Sequence, residues 1–288
     1  MIDTNRQELI GGWNQRKLEK CRFLICGIGA LGNEVAKNLA LLNARLLTLV
    51  DYDVVEQSNL NRCVLFRNGD VGKKKVEVAR RRLLEINGRL RITTVDRQLF
   101  WYEGYEPFIP RNKKKNEEVK RFNDALDRLH KKLFSETDVV VGALDNYLTR
   151  IFVNAYCVEK RKPFIDGGLD GLDGRVQVII PGVTPCYWCN LAENLKRSTT
   201  LREQVSCSGD TDIPVASVAT TTSLIASLQV NEAVKIAMKL GRPIDNRLHY
   251  VGATGKFVIY KMEKNKNCEF CGNVKAKKSK KAKRLPER

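Results

Sequence analysis

Short continuous apolar runs alternate along the first half of the chain with longer stretches in which apolar positions recur every three or four residues. RFLICG at 22–27 has the unbroken apolar character of a strand buried on both faces. A helix follows from about 30 to 42, and a second strand, LLTLVD, ends at Asp51. Residues 73–87 predict a helix whose apolar face is Val76, Val78, Ala79, Leu83, Leu84 and Ile86. ITTVD at 92–96 and DVVVGAL at 138–144 supply two further strands. The alternation of strand and helix predicts an α/β fold with a doubly wound, mostly parallel sheet. The first twenty residues read as a helix pair broken at Gly11-Gly12.

The regular alternation is interrupted twice. Residues 98–136 exceed what a connection needs, opening on Phe100, Trp101, Tyr102, Tyr105 and Phe108 and ending in Val119, Phe122, Leu126, Leu129 and Leu133 at helical spacing. They are expected to form an amphipathic helix on the sheet, or else a lid or partner-binding insertion. After residue 163 the order changes. PFIDGG and GRVQVIIPG read as strands, 185–215 as a cysteine-bearing polar loop, about 217–240 as one long helix ending at Gly241, and LHYVG with KFVIYKM as a closing hairpin. The expected organisation is one body over 1–272, with halves at about 20–150 and 151–272, followed by a basic, disordered tail at 273–288.

Composition narrows the classes. The chain of 288 residues carries a formal charge of +18, and its last fifteen residues hold eight Lys/Arg against one Glu. That run is a solvated tail or a dock for an acidic partner. With no nucleic-acid-reading motif beside it, nucleic acid is not the expected partner. There is no apolar run long enough for a membrane helix and no apolar leader segment, so a cytoplasmic setting is expected. Nine cysteines in that setting point to metal binding or catalysis rather than disulfides.

The first candidate site is Gly27-Ile28-Gly29-Ala30-Leu31-Gly32, a GxGxxG between a strand and a helix. Gly27 permits the tight turn, Gly29 lets backbone N–H groups approach a phosphate, and Gly32 lets the helix pack close. Asp51, nineteen residues on, can accept from ribose hydroxyls. Alone, this Rossmann-like pattern is compatible with NAD, FAD or ATP and leans towards a dehydrogenase.

The segment after Asp51 changes that reading. Asp51-Tyr52-Asp53-Val54-Val55-Glu56-Gln57-Ser58-Asn59-Leu60-Asn61-Arg62, followed by Val71-Gly72-Lys73-Lys74-Lys75, resembles the adenylating domain shared by ubiquitin-activating enzymes and the molybdopterin and thiamin biosynthesis adenylyltransferases, the ThiF family. Asn5-Arg6-Gln7 resembles the family's N-terminal arginine motif, and Ala143-Leu144-Asp145-Asn146 with Arg150 its magnesium-binding segment. The resemblance runs from about residue 4 to 272. It implies ATP, Mg2+ and a carrier protein ending in Gly-Gly, whose carboxylate attacks the α-phosphorus. Two anions must meet, so preorganised cations are needed. The resemblance gives that role to Arg62 and Lys75, and to Arg6 as an arginine finger reaching the opposite subunit of a homodimer. Asp145 becomes the magnesium ligand, while Asn59 and Asn146 hold the nucleotide and metal surroundings with Asp51 and Asp53. The bland alternatives are surface charges for Arg62 and Lys75 and a helix N-cap for Asp145.

Cys186-Tyr187-Trp188-Cys189 and Cys268-Glu269-Phe270-Cys271 are two CxxC pairs with 78 residues between them, and four thiolates suit a closed, structural zinc. The resemblance places paired CxxC motifs there too. Cys207 stands apart in a polar loop, where compact activating enzymes resembling this chain carry a thioester-forming cysteine. Three functions follow as expectations. The first is activation of a ubiquitin-like protein with a thioester at Cys207 and transfer to a conjugating enzyme. The second is sulfur-carrier adenylation that stops at the acyl-adenylate. The third is a NAD-linked oxidoreductase or a non-catalytic binding module.

Overall fold

The apolar runs pair into one eight-stranded sheet, seen in a computed structural model that describes residues 2–99, 127–191 and 216–275. Two short helices, α1 (Asn5–Glu8) and α2 (Gln15–Lys20), lead into β1 (Arg22–Cys26), α3 (Ala30–Leu41), β2 (Leu46–Val50), α4 (Lys75–Ile86) and β3 (Arg91–Val95). Residues 127–135 form α5, which leads into β4 (Val139–Gly142). Then come α6 (Tyr147–Glu159), β5 (Phe164–Asp170), β6 (Asp173–Ile179), α7 (Ala219–Met238), β7 (Arg247–Val251) and β8 (Lys256–Tyr260).

The strand order is β3-β2-β1-β4-β5-β6-β7-β8. The first five strands pair in parallel and the last three are added antiparallel. Parallel pairing requires crossovers, and the parallel part of the sheet carries helices on both faces, whereas β8 at the antiparallel edge is exposed. One face packs against α2, α3, α4 and α7 through Leu18, Val35, Leu39, Val78, Leu83, Ile225 and Val230. The other packs against α5 and α6 through Phe134, Ile151, Phe152, Tyr156 and Cys157. Cys26 and Cys157 are core residues on that second face.

The chain moves outward from β1 to β3 and then returns to the far side of β1 as β4. The carboxyl ends of β1 and β4 therefore part in opposite directions, and ligands of open α/β sheets bind at such a switch point.

Three predicted elements have different ends. The run at 138–144 stops being strand at Gly142, because the Leu144 carbonyl accepts from Arg150 and a new helix is capped at Asn146. The helix expected from residue 73 begins at Lys75, since Lys74 forms a bridge with Val54. The helix expected at 217–240 spans Ala219–Met238, and Lys239 closes it with φ 57°. Of the 98–136 insertion, residues 100–126 lie outside the described residues, as do 276–288 of the basic tail.

Candidate nucleotide and metal sites

At the switch point β1 runs into Gly27, whose φ of 90° disfavours any side chain. A Cβ there would also lie 2.4 Å from the Ala143 carbonyl oxygen, and a Cβ on Gly32 would lie 2.0 Å from that of Gly27. Either one would pry apart β1, β4 and α3. Gly29 meets no such wall: nothing lies within 4 Å of a Cβ built on it. Asn33 N–H bonds the Gly29 carbonyl at 3.0 Å, so the N–H groups of Ala30, Leu31 and Gly32 precede the first intrahelical bond. The positive end of the α3 dipole and these donors flank the open space over Gly29.

Asp51 braces this loop from β2. One carboxylate oxygen accepts from Ile28 N–H at 2.6 Å and the other from Asp53 N–H at 2.9 Å. A carboxylate has about four acceptor sites, so capacity for a hydroxyl donor remains. Burial pushes its pKa up, against the pull of Lys75.

Of the three consecutive lysines, Lys75 points inward. It is 8% exposed and its Nζ lies 2.7 Å from Asp53 Oδ2. Lys73 pairs with buried Asp70 and Lys74 with Asp96, and both of these lysines are exposed. Burial alone would lower the Lys75 pKa, but Asp51 and Asp53 more than offset this and hold it above its ordinary value. The ammonium is thus a fixed positive charge.

Asn59 closes a short turn, its Oδ1 accepting from Glu56 N–H at 3.0 Å. Arg62 leans on that turn, with Nη1 donating to the Ser58 carbonyl at 2.8 Å and to Asn61 Oδ1 at 2.9 Å. No carboxylate pairs with it among the described residues. Buried Cys63 reports how closely these groups gather. Burial pushes its thiol up to about 11 against the nearby charges of Arg62 and Lys75, with Asp51 also in range.

Asp145 is exposed, one residue ahead of the N-cap of α6. The N-cap is Asn146, whose Oδ1 accepts from Thr149 N–H at 2.8 Å, so capping does not explain Asp145. The amide of Asn146 instead donates to Asp145 Oδ1 at 3.1 Å. Tyr52 feels the carboxylates of Asp53, Asp145 and Asp51 after its own burial, so all three gather around it. The cluster thus contains the glycine loop, Asp51, Asp53, Lys75, Arg62, Asp145 and Asn146. Arg6 is outside it, exposed on α1 beside Leu9 and Ile10, which are 79% and 47% exposed. Cys207 lies outside the described residues.

Sequence reasoning missed the polar side chains that hold this cluster. Asn33, fully buried in α3, donates to the carbonyls of Ile28 (2.8 Å) and Gly29 (3.0 Å) and accepts from Leu65 N–H (2.9 Å). It ties the glycine loop to the Arg62 segment. Gln229 of α7 donates to the carbonyls of Gly142 (2.7 Å) and Ile165 (3.2 Å). Arg150, named for its place after Asp145, is a buried strut: it pairs with Asp166 at 2.5 Å and holds the Leu144 carbonyl. The available signal was a polar residue on the apolar stripe of each helix.

On the opposite face of the sheet the four CxxC cysteines meet, all sulfurs within 4.8 Å of one another. Cys186 lies 3.6 Å from Cys268, and Cys189 lies 3.4 Å from Cys271. Sulfurs about 2.3 Å from a tetrahedral ion are about 3.8 Å apart, so the set has the size of a closed metal site. Trp188 meets Phe270 edge to face at 5.4 Å, and Tyr187 N–H donates to Asn154 of α6 at 2.9 Å.

The ThiF family model matches residues 3–270. The chain belongs to the ThiF family. It is 30% identical over 278 residues to the molybdopterin-synthase adenylyltransferase of Escherichia coli, across 94% of this chain and 96% of that protein. It is also 30% identical over 261 residues to ubiquitin-like modifier-activating enzyme 5 of Arabidopsis thaliana, across 88% of this chain but 56% of that one. Among solved structures, E. coli MccB with succinimide superposes with a TM-score of 0.69 at 26% identity, covering 90% of this chain and 68% of that chain. MccB solved with ATP gives 0.68 at 25% identity, covering 90% and 69%. As a ThiF-family chain it has the Rossmann-like fold expected of its motifs.

Proposed function

We propose that this protein uses ATP to adenylate the C-terminal glycine carboxylate of a ubiquitin-like or sulfur-carrier protein. The observation that carries the reading is the open α3 N-terminus meeting a buried lysine and an exposed aspartate at the switch point. The kinship over 94% of the chain with a molybdopterin-synthase adenylyltransferase supports it.

In this reading the triphosphate lies over Gly29, where backbone donors and the helix dipole face it. Asp51 accepts from the ribose, and Asn59 steadies the nucleotide. A carboxylate oxygen of the carrier attacks the α-phosphorus, the bond from that phosphorus to the bridging oxygen breaks, and pyrophosphate leaves. Lys75 and Arg62 neutralise the charge that otherwise keeps the two anions apart. Asp145, with Asn146 beside it, would hold a magnesium ion, which supplies charge neutralisation on phosphate oxygens. Arg6 serves the partner subunit of a homodimer, with Leu9 and Ile10 burying apolar surface between the copies. Mixing Arg6→Ala and Asp145→Ala chains tests this, because shared sites restore one competent site per mixed dimer. No recovery on mixing argues against it. The four cysteines hold zinc as a structural staple.

The founding test is ATP–pyrophosphate exchange. It should require a carrier ending in Gly-Gly and vanish when that end is removed. Exchange independent of any carrier would overturn the proposal.

Two continuations of the acyl-adenylate are distinguishable. In one, the Cys207 thiolate attacks the acyl carbon, AMP leaves, and the thioester passes to a conjugating enzyme. In the other, the enzyme stops at the adenylate. The chain is 30% identical to a relative of each kind, so experiment separates the two. Cys207→Ala decides: a reducible carrier thioester that disappears while exchange persists supports the first, and no thioester in the parent chain supports the second.

A further inference from the structure

Beyond the ATP cluster, the same sheet carries a second polar group that the mechanism above does not use. Cross-strand register places Asp166 beside Gln177 and Gln177 beside Arg247, while Gly168 faces Arg175 and Arg175 faces His249. Gly142 of β4, three residues from Asp145, is the next neighbour of Asp166. These side chains share the face on which Arg150 meets Asp166, since the intervening Gly167 and Gly174 look at Gln229 and Ile225 of α7.

The group carries more positive than negative charge. Three guanidiniums gather near one carboxylate, Arg150 holds Asp166 Oδ2, and only the buried, unpartnered Asp166 Oδ1 is left as an acceptor. No ion pair or hydrogen bond engages Arg175 or Arg247 among the described residues. Arg175 lies flat on Gly168, where a Cβ would fall 2.7 Å from its Cζ. Gln177 is 2% exposed, and its amide nitrogen has no partner, nor has Arg247 Nε. Buried donors without acceptors cost on the order of 1–3 kcal/mol each, so an arrangement like this is built for something that arrives. Burial and then Arg175 depress the Arg247 pKa, showing that the two cations crowd each other. What relieves both is an anion with two acceptor oxygens.

We propose that Arg175, Arg247 and Gln177 form a specificity pocket for an acidic side chain in the C-terminal segment of the carrier protein. The proposal rests on the adenylation reading, which brings that segment to Asp145. Geometry sets the position of the acid. From Gly142 to Arg247 is three strand spacings, about 14 Å. An extended segment covers about 3.3 Å per residue, so the acid falls about four residues before the terminal glycine.

The test uses this protein and one ubiquitin-fold carrier ending in Gly-Gly, made with Glu, Gln or Arg at the residue four before its terminal glycine. The readout is the carrier KM in ATP–pyrophosphate exchange. The Glu carrier should show a KM about tenfold below the Gln carrier, with the Arg carrier weaker still. The double variant Arg175→Glu with Arg247→Glu should invert that order and leave the ATP KM unchanged. Equal KM values for the three carriers on the parent protein would overturn the proposal while leaving adenylation standing, and this arm needs no variant of the enzyme. A double variant that weakens all three carriers equally would reduce both arginines to structural struts and overturn it too. If no carrier supports exchange, the adenylation reading fails and this one with it.

Discussion

Asn33 offers the sharpest test of how the nucleotide site is held together. Its side chain makes three hydrogen bonds of 2.8–3.0 Å from a position with no solvent exposure. Asn33→Ala removes all three and strands the Leu65 N–H, which belongs to a residue 3% exposed. At about 1 kcal/mol net per bond, the loss sums to about 3 kcal/mol, with the stranded donor keeping it from being smaller. Asn33→Asp is the informative companion. It keeps the acceptor for Leu65 but turns a carboxylate oxygen towards two carbonyls, so it should cost at least as much. Urea unfolding reads the loss as a fall in midpoint at unchanged slope. Because Asn33 joins the glycine loop to the segment bearing Arg62, the ATP KM in pyrophosphate exchange should rise in both variants while the carrier KM holds. A loss below about 0.5 kcal/mol for Asn33→Ala, or an unmoved ATP KM, would refute the idea that this amide positions the site.

Neighbouring Asp145 and Asn146 should separate chemistry from folding: Asp145→Ala is expected to abolish exchange at unchanged stability, whereas Asn146→Ala should lose about 1 kcal/mol of stability as an N-cap does. Native mass spectrometry should find one zinc per chain, and Cys271→Ser should remove it and lower the unfolding temperature by on the order of 10 °C. Metal-free protein of unchanged stability would count against the staple. His130 is 2% exposed, edge-on to Phe152 and Tyr156, and burial depresses its pKa to about 4. Its unfolded value is near 6.5, so the unfolded chain takes up the proton first. Stability present above pH 6.5 is therefore lost as pH falls towards 4, by at most about 3 kcal/mol. His130→Phe should flatten that slope in acid titrations of unfolding, and an unchanged slope would assign the loss to other groups.

Much of the fold was legible because parallel strands buried on both faces leave unbroken apolar runs. RFLIC, LLTLV and VVVG are all nearly solid, and each became a strand. Element ends were less legible because side chains elsewhere set them. Nothing within DVVVGAL announces that Arg150 will take the Leu144 carbonyl and stop β4 at Gly142. In the site, the acidic and basic residues were nominated by the family resemblance. Their supports were not: Asn33, Gln229 and Asp166 each engage at least one group more than a dozen residues away and sit where a helix or strand pattern calls for an apolar residue. The choice among Lys73, Lys74 and Lys75 shows the boundary well. Spacing nominated one, but its burial depends on Asp53, 22 residues earlier, arriving from the far end of the connection.

The way the charges are paired bears on how the site works. Lys75 is held by Asp53 and felt by Asp51, while Arg62 rests on neutral acceptors and Asp145 faces solvent. The buried cation is already balanced, so folding does not strand a charge in a low-dielectric place, where it would be costly. The less buried groups keep their capacity for a ligand. On the proposed reading, an arriving polyanion would meet a lysine whose position Asp53 fixes before binding. Preorganisation of this kind places charge where it develops without reorganisation during reaction. The same logic separates the second cluster from the first. Among the described residues Arg175 and Arg247 have no ion pair like that of Lys75 with Asp53, and Arg150 holds one oxygen of Asp166 beside them. On the proposal above, that surplus of positive charge suits them to choosing a partner rather than to holding a phosphate through every turnover.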